Sequence, residues 1–179
     1  MDINWYILIA AILLGVAGCT IVLWKKFRYY KTTLLIHTVL SVLLCLFFYY
    51  NGFYRYALPV EYILPAVVIN FGLFIVFLIR FEPKGDTFPF YFVFITWTFS
   101  LEILLEYLGF IRFRNGWDFW DSYSLYWIYA RIFSHIGKRM VPSEGRTPID
   151  ISKRGFRVLY SMTIILFFIV LFLLLRFAG

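Results

Sequence analysis

The chain has 179 residues, of which 63% are hydrophobic, 23% aromatic and only 15% charged, with a formal net charge of +7. A soluble domain carries about 25% charged residues, so this composition excludes the soluble, fibrous and disordered classes. What remains is a polytopic membrane protein, whose basic excess reflects loop placement and attraction to anionic lipid headgroups rather than nucleic acid.

A helix needs roughly 20 apolar residues to cross the hydrocarbon core. The first such segment, residues 5–24, holds no charge and has Trp5 and Trp24 as interfacial anchors. Within it Val16-Ala17-Gly18-Cys19 matches a bacterial lipoprotein cleavage box. The opening Met1-Asp2-Ile3-Asn4 lacks a positive n-region, however, and apolar residues continue to Lys25. Ala11, Gly15 and Gly18 are therefore read as small residues for close helix packing. Lys25, Lys26, Arg28 and Lys31 follow, interleaved with Phe27, Tyr29 and Tyr30. The second segment, residues 32–50, contains only His37 as an ionisable group.

After a turn at residues 51–56 comes the third segment, 58–79, with Pro59 in its first turn and Pro65 further in, where it removes a helix hydrogen bond near Glu61. Asp86 or Thr87 caps the fourth segment, 88–110, which Gly109 helps to end. An aromatic and charged interfacial loop, residues 112–121, leads to the fifth segment, 117–136, which is short, rich in Tyr and Trp, and holds Arg131. A basic stretch from Gly137 to Arg157 is too small to form a domain. The sixth segment is 158–175. The reading is an all-α, six-helix transmembrane bundle, one domain over 1–179, with no long-period repeat.

Lys and Arg mark cytoplasmic loops. Placing residues 25–31 inside puts twelve basic residues inside, at 25–31, 80–84 and 138–157, against four outside, Arg55, Arg112, Arg114 and Arg176. Both termini are then extracytoplasmic.

The candidate site consists of the residues that interrupt the apolar pattern. Glu102 and Glu106, at i and i+4, share one face of the fourth segment. A charge at the centre of a membrane helix costs about 2.5–3.5 kcal/mol on insertion scales, so it seeks protein, water or a partner. At ~1.5 Å per residue Glu102 lies ~12 Å and Glu106 ~6 Å below the outer end, and Arg131 ~21 Å. Glu102–Arg131 is the expected buried pair, Glu106 reaches outward to Arg112 or Arg114, and Glu61 snorkels. Asn70, near the middle of the third segment, is either an interhelical hydrogen bond or a binding residue. Lys138, Arg139, Lys153, Arg154 and Arg157 are placed to meet anionic lipid headgroups. His37 and His135, without a nearby carboxylate or Cys, make a poor metal site. Cys19 and Cys45 lie in apolar segments and read as small hydrophobes. No phosphate loop, HExxH or dinucleotide fingerprint occurs, and no cofactor is implied.

Glu102, then Leu108-Gly109-Phe110-Ile111-Arg112-Phe113, then Asn115-Gly116-Trp117 and Ser122, resembles a pattern in an uncharacterised group of small multi-pass proteins of endospore-forming bacteria. The resemblance covers about half of the chain, and the span 158–175 departs from it. It implies a bacterial cytoplasmic-membrane protein and carries no activity. Three functions fit: a non-enzymatic subunit or accessory of a larger membrane assembly, with a protein partner or a second copy; a small channel or carrier using the Glu/Arg cluster; or an intramembrane lipid-modifying enzyme with Glu102 as acid or base.

Overall fold

The computed structural model describes residues 2–177. Six long helices fill it: α1 (Ile3–Leu23), α2 (Phe27–Tyr50), α3 (Val60–Phe81), α4 (Phe88–Tyr107), α5 (Phe119–Met140) and α6 (Arg154–Phe177). Five of them, all but α5, are long and apolar enough to cross a membrane, the architecture of a multi-pass membrane protein. α5 matches them in length, but Asp121, Arg131, Lys138 and Arg139 dilute its apolar character.

The helices alternate in direction. Trp5 stacks edge-on against Tyr62 at one end, and Gly18 packs on Leu73 further along, so α1 and α3 run parallel. α2 runs against α3. α5 runs against α4, with Phe99 beside Tyr123 and Phe88 beside Trp127. α6 follows α4, with Phe92 against Tyr160 and Trp97 donating to Thr163 Oγ1 at 3.1 Å. The largest buried cluster lies where α3 meets α2, α4 and α5, around Tyr30, Ile75, Leu78, Tyr91, Ile95 and Ala130. α6 is peripheral and almost entirely unburied.

The α1/α3 contact shows why small residues were needed. A Cβ on Gly15 would meet Ile69 Cγ2 at 2.7 Å, and one on Gly18 would meet Leu73 Cδ2 at 2.5 Å. Asn70 Nδ2 donates across this contact to the Ala11 carbonyl at 3.1 Å and back to Ala66 at 2.8 Å. It is thus an interhelical hydrogen bond.

Two features were not expected from the sequence. The first is a two-stranded antiparallel ribbon, β1 (Tyr54–Tyr56) with β2 (Ile111–Phe113), in register Tyr54↔Phe113, Arg55↔Arg112, Tyr56↔Ile111. Each strand follows a helix closed by a glycine at positive φ, Gly52 (70°) and Gly109 (74°). Phe53 N–H donates to Phe48 O and Gly52 N–H to Tyr49 O; Phe110 and Gly109 repeat the pattern to Leu105 and Glu106. Both are Schellman closures, which need the left-handed conformation that glycine adopts freely. The two arms are one short motif written twice, Gly52-Phe53-Tyr54-Arg55-Tyr56 and Gly109-Phe110-Ile111-Arg112-Phe113.

The second feature is a strap, residues 141–153, at the opposite end. Thr147 N–H donates to Arg80 O at 2.7 Å and Ile149 N–H to Phe81 O at 3.0 Å, so the strap satisfies carbonyls at the end of α3. Tyr30 donates to Gly145 O at 3.1 Å, and Lys26 Nζ to Glu144 O. α5 and α6 both extend further than their apolar stretches, to Met140 and back to Arg154. Gly137 therefore lies inside α5, buried against Ile79, rather than opening the loop.

Candidate functional site

Glu102 sits on the inward face of α4, 6% exposed. The ribbon and the start of α5 close over it. Tyr54, on β1, donates to Glu102 Oε1 at 2.8 Å. The Ser122 hydroxyl lies 2.8 Å from the Tyr54 oxygen and 3.4 Å from Glu102 Oε1, and its own oxygen accepts from Trp117 Nε1 at 3.0 Å. Burial pushes the Tyr54 hydroxyl above its usual range, with the neighbouring Glu102 charge adding to the effect, so it stays protonated and acts as the donor. Asp118 fixes Ser122 in place by starting α5. Its side chain accepts from Trp120 and Asp121 N–H, and Asp121 returns a bond to Asp118 N–H, a capping box. The Tyr126 hydroxyl lies beside Glu102 as well, although Oε2 is buried with no partner in hydrogen-bond geometry among the described residues.

Arg131 is not in this cluster, which corrects the expected Glu102–Arg131 pair. Its Nη1 donates to Thr87 Oγ1 at 3.3 Å, and its guanidinium lies 5.5 Å from the Tyr91 ring centroid. Tyr91 is eleven residues from Glu102 along α4, about 16 Å of helix. Arg131 is nearer the strap end of α5 than its start, and a long cationic side chain reaches for the closer polar boundary. Glu106 is half-buried and Glu61 exposed; neither forms an ion pair among the described residues. The expected Glu106 bridge to Arg112 or Arg114 is therefore absent there. Glu61 lies in the first turn of α3, where a negative charge suits the helix dipole.

The ion pair that does form joins Glu82 and Lys138, 2.6 Å apart. Glu82 is 6% exposed, and Ser134 Oγ donates to its other oxygen at 2.7 Å. Lys138 is thereby held by Glu82, whereas Arg139, Lys153, Arg154 and Arg157 are exposed. Glu82, Tyr91, Arg131, Ser134, His135 and Lys138 line an open cavity of ≈ 460 Å³ at the strap end. Nothing in the sequence marks Glu82, which stands in a charged turn and reads as solvated. The Tyr54 hydroxyl was equally hidden, and the repeated Gly-Phe-x-Arg-aromatic motif was the available signal for the ribbon that brings it in; Ser122 was marked only as part of the pattern that begins at Glu102.

His37 is buried, with Nδ1 2.7 Å from the Tyr129 hydroxyl and its ring packed on Phe133. No three His, Cys, Asp or Glu side chains converge on a metal position among the described residues. Comparison of the chain with protein-family models, with curated proteins and with solved structures found no match.

Proposed function

We propose that the chain is a non-enzymatic integral component of the bacterial cytoplasmic membrane, a subunit or accessory of a larger membrane assembly, crossing the bilayer six times. The observation that carries this reading is the enclosure of Glu102. A carrier or an enzyme using that carboxylate needs a polar cavity leading to it. Instead Tyr54, Ser122 and Tyr126 surround it, and it lines neither the cavity at the strap end nor the one beside Arg55 and Arg112. α5, which packs along α4 and α3, is the sixth span, and the strap end is cytoplasmic. The twelve-to-four basic bias supports that orientation, and the bacterial placement follows the resemblance of residues 102–122.

Two measurements test the reading. On a background lacking Cys19 and Cys45, an impermeant thiol reagent applied to intact cells should label Arg114→Cys and spare Ser143→Cys; labelling at position 143 sinks the topology. Native mass spectrometry in mild detergent should find a second protein chain or a second copy in fixed stoichiometry, and a monomer carrying only lipid counts against a subunit. The ≈ 460 Å³ cavity at the strap end favours one alternative, a small carrier or channel, because its volume falls in the range of ligand sites.

A further inference from the structure

Arg80 ends α3, where a cation suits the helix dipole. Its Nε and Nη1 are nonetheless buried with no acceptor among the described residues, and the same holds for Nε of Arg146 in the strap. The two residues are neighbours, because the Thr147–Arg80 backbone bond lays the strap along the end of α3. The Tyr30 hydroxyl, on α2, ties down the strap one residue before Arg146 by donating to Gly145 O. Thr33, one turn along the same face of α2, has a buried hydroxyl that likewise lacks a partner. No carboxylate forms an ion pair with either arginine among the described residues. A buried donor on a charged group is expensive to leave unmade. A bound anion supplies the missing acceptors.

We propose that Arg80 and Arg146 form a phosphate-binding site between the end of α3 and the strap. A guanidinium offers a planar fork of donors matched to phosphate oxygens. Gly145 lets the strap pack closely on α2 beside Arg146, since a Cβ there would meet Val141 Cγ1 at 2.8 Å and Tyr29 Cβ at 3.1 Å. The phosphate comes from a phospholipid headgroup or from a soluble phosphate compound; the lipid source rests on the membrane orientation proposed above. The site is separate from the exposed basic residues Arg154 and Arg157, which offer charge without a cradle.

The test uses the full chain, purified and delipidated in a maltoside detergent, with thermal unfolding followed as each probe is titrated. Phosphatidylglycerol should raise the midpoint, and diacylglycerol with the same chains should not. R80Q/R146Q should bind the phospholipid roughly tenfold or more weakly, whereas R154Q/R157Q, which removes two exposed headgroup contacts, should lose less. Stabilisation by inorganic phosphate alone, lost in R80Q/R146Q, supports the site with a soluble ligand. If R80Q/R146Q does not fold, R146K, which keeps the charge and loses the fork, is read the same way. The site is overturned if neither probe stabilises the wild type, if R80Q/R146Q or its stand-in behaves as wild type, or if R154Q/R157Q loses as much. None of these failures bears on the six-span reading, which the thiol labelling decides.

Discussion

Glu102 and Glu82 are each 6% exposed, yet they stand at opposite ends of the bundle among opposite kinds of neighbour. Glu82 meets an ammonium and one hydroxyl. Glu102 meets hydroxyls alone, one of them supplied by a three-residue strand. The Glu82 pair is an electrostatic tie between α5 and the turn after α3, open to a cavity on one side. The Glu102 cluster is a closed network whose integrity depends on the ribbon. Burial alone therefore does not make a carboxylate a working group; its partners and its access decide.

The largest expected effect lies at the paired end. Lys138→Met leaves Glu82 buried opposite no charge. Breaking a buried pair costs about 3–5 kcal/mol, and the low end applies because Lys138 is 39% exposed. Glu82→Met with Lys138→Met should restore much of the loss in a detergent unfolding assay. A double variant no better than the single one would show that the tie is not the source of the effect.

At the closed end Tyr54→Phe removes one donor to a buried carboxylate. A loss of about 1–3 kcal/mol is expected, the cost of taking one partner from a buried polar group. Unfolding midpoints measure it, and no change would mean that the ribbon closes over Glu102 without holding it. Gly137→Ala comes next. Its Cβ would fall 2.1 Å from Ile79 Cδ1, on a residue 1% exposed that has no room to retreat. Overpacking of this kind costs about 1–3 kcal/mol, and a neutral result would show that α5 can shift away from α3. The smallest effect is a coupling near zero: the losses from Glu102→Gln and Arg131→Met should add to within about 0.3–0.5 kcal/mol, as for sites more than 7–10 Å apart. A larger coupling energy would join the two ends into one site.

The helices were legible because an apolar run of about 20 residues has few other uses; three of the six expected spans lie within three residues of the observed helices at both ends. The largest differences fall at the basic flanks, Phe27–Lys31, Gly137–Met140 and Arg154–Arg157, where charged residues continue a helix beyond the apolar run. Glu102 and Arg131 stood out individually, but their partners did not. Depth counted from a loop end gave two values close enough to suggest a pair, yet it carried no information on which end Arg131 would reach for. Glu82, Tyr54 and the two arginines of the strap end were invisible for a related reason. Each lies in or beside a connection, and what a connection folds against is set by register between distant segments, not by local pattern.

The ribbon has a mechanical consequence. β1 joins α2 to α3 and β2 joins α4 to α5, so the ladder, flanked by Arg114 N–H to Phe53 O at 2.9 Å and Ala57 N–H to Phe110 O at 3.0 Å, couples two helical hairpins at one end. The strap couples the same hairpins at the other, running from α5 back to the end of α3. Transporters that alternate access rock one group of helices against another. Here that hinge motion would have to unzip a backbone ladder at one end or peel the strap off α3 at the other.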